Sequence, residues 1–318
     1  MNATREEANQ LLEGIAGPGA QLRDDQWLAI DALVNQKKRM LVVQRTGWGK
    51  SAVYFIAAKL LRTRGAGAAV IISPLLALMR NQVSAAERAG IKAATLNSAN
   101  MTDWDEIQTQ VVGGEVDVLL ISPERLNNPD FRDAVLPRLA AETGLVVVDE
   151  AHCISDWGHD FRPDYRRIRD LLAGLEPGVP VLATTATAND RVVEDVRAQL
   201  GDNTGVLRGG LDRESLRLAV LNLQDSTARP AWIATHLKEL EGSGIIYCLT
   251  VAAAHDLADA LNAVGWNVAA YTGRTEAGER ERLEHALINN EIKALVATSA
   301  LGMGFDKPDL GFVVHLGA

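Results

Sequence analysis

Two short stretches of this chain carry residue types with complementary chemistry. The first, Thr46-Gly47-Trp48-Gly49-Lys50-Ser51, follows the apolar run Met40-Leu41-Val42-Val43 and precedes a good helix over residues 52–61. Glycines let backbone N–H groups turn toward a phosphate, and the N-terminus of the helix adds partial positive charge. In that position Lys50 reaches the β- and γ-phosphates of a nucleotide and the Ser51 hydroxyl holds Mg²⁺. The second stretch, Asp149-Glu150-Ala151-His152, stands directly behind Val146-Val147-Val148. An acidic residue at the end of a buried strand suits Asp149 to Mg²⁺, directly or through water, and Glu150 to orienting or deprotonating the attacking water. Together the two stretches imply binding and hydrolysis of a nucleoside triphosphate with Mg²⁺.

The strict phosphate-loop pattern asks for glycine at position 44, where Gln44 stands. Trp48 inside the loop is unusual, and two placements are open: exposed over the nucleotide, or packed against another domain. His152 has two readings, a histidine bonded locally or a switch that senses nucleotide and reports to the other domain. The segment that follows, from Cys153 to Tyr165, gathers Trp157, His159, Phe161 and Arg162. Aromatics interleaved with cations suit stacking on exposed bases and gripping phosphates. The competing reading tucks Trp157 and Phe161 into the core.

These residues need a frame. Continuous apolar, β-branched runs predict strands over 40–44, 69–73, 116–122, 145–149, 179–183, 218–223, 244–248, 267–271, 293–298 and 312–315. Runs of this kind, with helical patterns between them, are the signature of parallel strands covered on both faces, so the class is α/β. Thr4-x-x-Glu7 is a capping box opening a helix with the stripe Ala8, Leu11, Leu12 and Ile15, stopped by Gly17-Pro18-Gly19. A second helix begins near Asp24 and buries Trp27, Ile30, Leu33 and Val34. Glycines cluster over 201–213 and helical periodicity is lost there, which divides the chain into 1–208 and 209–318, the second half repeating the architecture of the first.

With 318 residues, 47% hydrophobic and 23% charged, the chain reads as globular and not disordered. The longest apolar stretch, 244–254, is too short to span a membrane, and the N-terminus has no signal-peptide pattern. Two cysteines, Cys153 and Cys248, leave no disulfide framework and no four-thiolate zinc site, so the expectation is a cytoplasmic, reducing location with no structural zinc in this chain. The net charge of −9 argues against a packaging protein and requires any nucleic-acid track to be local, as at Lys37-Lys38-Arg39 or Arg162, Arg166, Arg167 and Arg169.

The run Asp-Glu-Ala-His-Cys-Ile-Ser-x-Trp-Gly-His-Asp-Phe-Arg-Pro-x-Tyr from Asp149 to Tyr165 resembles the RecQ family of DNA helicases, within superfamily 2. The resemblance covers nearly the whole chain. Leu22-Arg23-x-x-Gln26 is similar to the family's adenine-recognising segment, with Leu22 where an aromatic is usual. Ser73-Pro74-Leu75-Leu76-Ala77-Leu78-Met79-x-x-Gln82 resembles its DNA-contacting motif, Ser122-Pro123-Glu124-Arg125-Leu126 the next one, and Thr185-Ala186-Thr187-Ala188 its coupling motif. Ile245-Ile246-Tyr247-Cys248, and Ala297-Thr298 through Gly302-Met303-Gly304-x-Asp306-Lys307-Pro308-Asp309, are similar to its second motor domain.

What the resemblance implies is an α/β chain of two RecA-like (P-loop NTPase) domains, each a mainly parallel sheet flanked by helices, with ATP between them. It implies a DNA helicase motor moving 3′→5′ on single-stranded DNA, acting also on partially duplex DNA, in repair and recombination. The location would be nucleoid-associated if the source is bacterial. Arg23 and Gln26 would recognise adenine; Thr46, Gly47, Trp48, Gly49, Lys50 and Ser51 would surround the phosphates; Gly304 and Asp306 would approach the nucleotide from the second domain. His152, Trp157, His159, Phe161, Arg162, Thr185, Thr187, Gln82 and Thr298 would bind DNA or couple it to hydrolysis. The family's next motif, a Gly-Arg-x-Gly-Arg segment, is not in the sequence; its arginine reaches the γ-phosphate and is worth roughly 10³–10⁵ in rate. The expectation is therefore a piece of a longer protein, a monomer that binds ATP and hydrolyses it slowly. Competing readings are a nucleotide-dependent DNA-binding module with little motor activity and an RNA helicase. A P-loop kinase or transferase has no need of a second half carrying Gly302-Met303-Gly304 and Asp306.

Overall fold

A computed structural model describes residues 2–74, 79, 82–83, 86–87, 90–96, 104–155, 167–201, 203–210, 216–223, 225, 227–302, 305, 307 and 309–317. The chain divides into two compact units, Met1–Leu216 and Arg217–Ala318.

In the first unit, strands β1 (Arg39–Val43), β2 (Ala69–Ile72), β3 (Ala93–Leu96), β4 (Val118–Ile121), β5 (Leu145–Val148), β6 (Val181–Thr185) and β7 (Gly205–Arg208) form one sheet in the order β3-β4-β2-β5-β6-β1-β7. Every described pairing is parallel. Parallel neighbours require crossover connections, and helices α1 (Arg5–Ala16), α2 (Asp24–Val34), α3 (Lys50–Arg62), α4 (Trp104–Val112), α5 (Leu136–Glu142), α6 (Ile168–Ala173) and α7 (Asp190–Leu200) supply the covering layers. Successive strand residues point to opposite faces. Val147 and Leu182 therefore pack with Ile30, Leu33, Phe55 and Ile56 of α2 and α3, while Val146, Val148 and Ala183 pack with Leu171, Val192 and Val196 of α6 and α7. The capping box forms as expected: Thr4 N–H donates to Glu7 Oε2 at 2.8 Å and Glu7 N–H to Thr4 Oγ1 at 3.2 Å. Of the two helical stripes, Ala8, Leu12, Ile30, Leu33 and Val34 are buried, whereas Leu11, Ile15 and Trp27 pack at the margin of the core.

In the second unit, β8 (Gly244–Cys248), β9 (Val268–Tyr271), β10 (Ala294–Ala297) and β11 (Phe312–Leu316) run parallel in the order β11-β8-β10-β9. Helices α8 (Ala228–His236), α9 (Val251–Ala263) and α10 (Ala277–Ile288) accompany them. Ile246 and Val296 pack on Leu257 and Leu261 of α9, and Leu295 and Tyr271 pack on Leu283 and Leu287 of α10. No helix among the described residues is long and apolar enough to cross a membrane.

Three elements differ from the sequence reading. β3 and β7 were not anticipated: both are edge strands, and β7 alternates half-buried and exposed residues instead of forming an apolar run. The expected strand over 218–223 is irregular, with Leu218 92% and Val220 96% exposed. A strand is held by its neighbours, and none of the described strands pairs with this segment.

Candidate functional site

β5, β6 and β1 are adjacent in the first sheet, so the three sequence motifs that follow them emerge side by side at one edge. Ligands of open parallel sheets bind outside the carboxyl ends of the strands. The register pairs Val43 with Thr185 and Val148 with Ala183.

After β1, Gln44 N–H bonds Thr185 O at 3.0 Å and the chain turns through two glycines at positive φ, Gly47 at 78° and Gly49 at 97°. Gly49 is the N-cap of α3, in the left-handed region, and no side chain caps the helix. The first N–H groups of α3 are therefore presented at a positive helix end. A Cβ at Gly49 would lie 2.7 Å from Gln26 Nε2. Lys50 folds back along the loop, donating to Gln44 O at 2.8 Å and Arg45 O at 3.3 Å. Burial draws its ammonium below the ordinary lysine range, with the Glu150 and Asp149 carboxylates pulling the other way. Thr46, Gly47 and Ser51 are exposed.

Trp48 does not take the exposed place over the loop. It is 5% exposed within the core of the first unit, and its indole N–H donates to Asp25 Oδ2 at 2.8 Å. An indole has an apolar body and one donor, and α2 offers a carboxylate beside an apolar face. Gln44, which occupies the position of the missing glycine, donates to the same Asp25 oxygen at 3.2 Å. Arg23 and Gln26, expected at adenine, hold the loop: Gln26 Nε2 and Arg23 Nη1 both donate to Trp48 O, at 2.7 and 3.1 Å. Gln26 Oε1 accepts from Arg23 N–H at 2.9 Å.

After β5, Asp149 is buried. Its Oδ1 accepts from the Thr184 hydroxyl at 2.7 Å and from Glu150 N–H at 3.1 Å, and its Oδ2 from Gln82 Nε2 at 2.9 Å. Burial, then the neighbouring Glu150, pushes the Asp149 carboxyl above the usual range; the Thr184 hydroxyl, the Glu150 N–H and Lys50 act against that rise. Glu150 has φ 51° and ψ 48°, a left-handed conformation that costs a non-glycine residue roughly 1–2 kcal/mol. The turn brings Glu150 Oε2 to 3.3 Å from Nδ1 of His152, whose side chain is almost completely buried.

His152 Nδ1 also lies 3.0 Å from Thr185 Oγ1 at the end of β6. The Thr185 hydroxyl donates to Thr187 O and accepts from Thr187 N–H, both at 3.2 Å. The single hydroxyl proton is thus spoken for, and a carboxylate only accepts, so the hydrogen-bond network places a proton on His152 Nδ1. Both candidate coupling threonines are therefore tied to the acidic segment.

Gln82 was expected to bind DNA or couple it to hydrolysis. It is 5% exposed and turned inward, bonding Asp149 and, at 2.8 Å, the Tyr54 hydroxyl. Burial and the Asp149 charge hold that phenol above its ordinary range. Thr298 directly follows β10 in the second unit, where its hydroxyl accepts from Ala300 N–H at 3.4 Å. Trp157, His159, Phe161, Arg162, Gly304 and Asp306 lie outside the described residues. Sequence reasoning overlooked Asp25, Tyr54 and Thr184. Tyr54 lies four residues after Lys50 on one helix, a spacing that puts both on one face and could have revealed it.

Residues 23–196 match the DEAD/DEAH box helicase family. The chain belongs to that family. Residues 228–318 match the helicase conserved C-terminal domain. It is 34% identical over 322 residues to a putative ATP-dependent DNA helicase Q1 of Caenorhabditis briggsae, covering 98% of this chain and 50% of that protein. It is 33% identical to the ATP-dependent DNA helicase RecQ of Pasteurella multocida, covering 92% and 45%, and 33% identical to RecQ of Bacillus subtilis, covering 93% and 49%. The RecQ resemblance read from the motifs is shared by these relatives, and the chain spans about half their length. Among solved structures, Saccharomyces cerevisiae Dbp5 bound to RNA and ADP BeF3 has a TM-score of 0.75 at 18% identity, covering 98% of this chain and 80% of that one. Mycobacterium smegmatis helicase Lhr bound to ssDNA and AMP-PNP has a TM-score of 0.69 at 20% identity, covering 96% and 43%. At these identities the likeness concerns the fold, two RecA-like α/β domains with parallel sheets.

Proposed function

We propose that this helicase chain binds ATP with Mg²⁺ and hydrolyses it in step with movement 3′→5′ along single-stranded DNA, separating duplex strands in repair or recombination. The observation that carries the reading is the convergence of three adjacent strand ends on one charged site: Lys50 after β1, Thr185 at the end of β6, and Asp149 with Glu150 after β5. The names of the relatives support ATP and DNA as substrates.

In this reading the glycine turn and the first N–H groups of α3 receive the phosphates, and Lys50 releases its two loop carbonyls to reach them. Asp149 and Ser51 would hold Mg²⁺, whose charge when bound offsets that of the β- and γ-phosphates. Their hydroxyl and carboxylate are the hard oxygen donors this ion takes. Among the described residues no three His, Cys, Asp or Glu side chains gather into a metal cage, as suits an ion shared with phosphates.

Glu150 accepts the proton of the attacking water at its carboxylate. Its Oε2 lies beside the His152 Nδ1–H, so a change in charge at Glu150 is felt by a buried imidazole that also bonds Thr185. That chain of contacts is the route by which nucleotide state reaches the segment after β6. Unwinding of duplexes with a 3′ or a 5′ single-stranded tail, in DNA and in matched RNA, tests the proposal. ATP-dependent opening of 3′-tailed DNA is expected; preference for a 5′ tail or for RNA would overturn it.

A further inference from the structure

A buried bridge joins the acidic pair to the phosphate-binding helix, and the mechanism above does not use it. Gln82 stands on helical backbone in the stretch beyond β2, and its amide nitrogen donates to Asp149 Oδ2 at 2.9 Å and to the Tyr54 hydroxyl at 2.8 Å. Gln82 is 5% exposed and Tyr54 1% exposed. An amide nitrogen has two hydrogens, and both are committed here. A carboxylate only accepts, so Asp149 dictates which end of the amide faces it. Tyr54 lies one helical turn beyond Lys50 on α3, the helix that also bears Ser51 in its first turn. One side chain thus links three segments far apart in sequence: the strand end bearing Asp149, the helix bearing Lys50 and Ser51, and the stretch beyond β2.

We propose that Gln82, anchored by the Tyr54 hydroxyl, is a positioning residue that fixes the Asp149 carboxylate for the Mg²⁺–nucleotide. The proposal rests on the reading of Asp149 as a Mg²⁺ ligand. Thr184 and the Glu150 N–H hold Oδ1 of that carboxylate, and Gln82 adds a hold on Oδ2, so both oxygens are directed. Because the anchor of Gln82 is on the same helix as Ser51, the two proposed metal oxygens are kept in step by a single hydrogen-bonded link. Partners that orient a metal ligand from behind typically contribute 10–100-fold to metal affinity.

The test titrates Mg²⁺ into the full chain with a fluorescent ATP analogue and reads nucleotide affinity, with thermal unfolding measured in parallel. Gln82→Met keeps the volume and removes both donors; Tyr54→Phe keeps the ring and removes only the anchor. The expected result for Gln82→Met is a rise of roughly 10-fold in half-saturating Mg²⁺, with affinity for metal-free nucleotide unchanged. Tyr54→Phe, which retains the packing and guards against a misfolded Gln82 variant, shifts the Mg²⁺ midpoint in the same direction by less. Wild-type Mg²⁺ midpoints in both folded variants, with only the unfolding temperature lowered, would reduce the bridge to packing and overturn the proposal. Asp149→Asn separates the layers. If it leaves the Mg²⁺ dependence intact, the metal-ligand reading itself fails and the proposal falls with it; if it abolishes that dependence while Gln82→Met does not alter it, only the role of Gln82 fails.

Discussion

Replacing Trp48 tests whether the phosphate loop is shaped before any nucleotide arrives. The side chain is 5% exposed in the core of the first unit and is held by Asp25 through its indole N–H at 2.8 Å. Truncating a buried tryptophan to alanine costs about 3–5 kcal/mol through lost burial and the cavity left behind. Trp48→Phe keeps most of the apolar body and loses one neutral-donor hydrogen bond. Asp25 Oδ2 still receives Gln44 Nε2 at 3.2 Å, so no acceptor is orphaned and the cost is about 1.5–3 kcal/mol, the range for a bond to a charged group. Urea unfolding followed by far-UV circular dichroism reads the stabilities, and calorimetric titration with ATP reads the loop. Trp48→Phe should retain ATP affinity, because Gln26 and Arg23 grip the backbone carbonyl of residue 48 and not its ring. Trp48→Ala should weaken ATP binding as well as stability, since the loop then loses its apolar anchor in the core and the indole bond to Asp25, and keeps only the grip of Gln26 and Arg23 on the carbonyl. A loss under about 1 kcal/mol for Trp48→Ala, with wild-type ATP affinity, would refute the anchoring argument.

Two further outcomes follow from the acidic segment. The Asp149 carboxyl is raised in the folded state, so the native protein holds a proton there at pH values where the unfolded chain has released it. Metal-free stability should therefore fall as pH rises from near 3.8 through the higher native value; Asp149→Asn, scanned by thermal unfolding, should lack that decline and melt higher at neutral pH while losing hydrolysis. A variant melting lower than wild type at neutral pH would contradict the burial argument. Thr185→Val removes the oxygen that bonds both His152 Nδ1 and Thr187 N–H; DNA stimulation of phosphate release should drop sharply while the DNA-free rate stays near wild type, and equal loss of both rates would show the contact serves chemistry alone.

The frame and the motifs were legible because their signals are local. Val146-Val147-Val148 is apolar on both faces, as a central parallel strand must be, and all three residues are fully buried. The capping box of Thr4 and Glu7 needs only residues three apart. The contacts that were not legible depend on distant partners. Gln82 meets Asp149 across 67 positions and Trp48 meets Asp25 across 23, and no periodicity encodes either contact. Residues 218–223 have the composition of a strand, but pairing decides strands, and composition cannot supply a neighbour. β7 hid in a glycine cluster because an edge strand beside β1 needs burial on alternate residues only.

The central claim is that Glu150 activates water while Lys50 and Asp149 hold the nucleotide. Glu150→Gln keeps the size of the side chain and removes its charge. Phosphate release with saturating single-stranded DNA, measured beside ATP affinity, tests the claim most directly. ATP binding should stay at the wild-type level while phosphate release slows by roughly 10²-fold or more. Turnover within about 10-fold of wild type, or a loss of ATP binding that matches the loss of turnover, would contradict it.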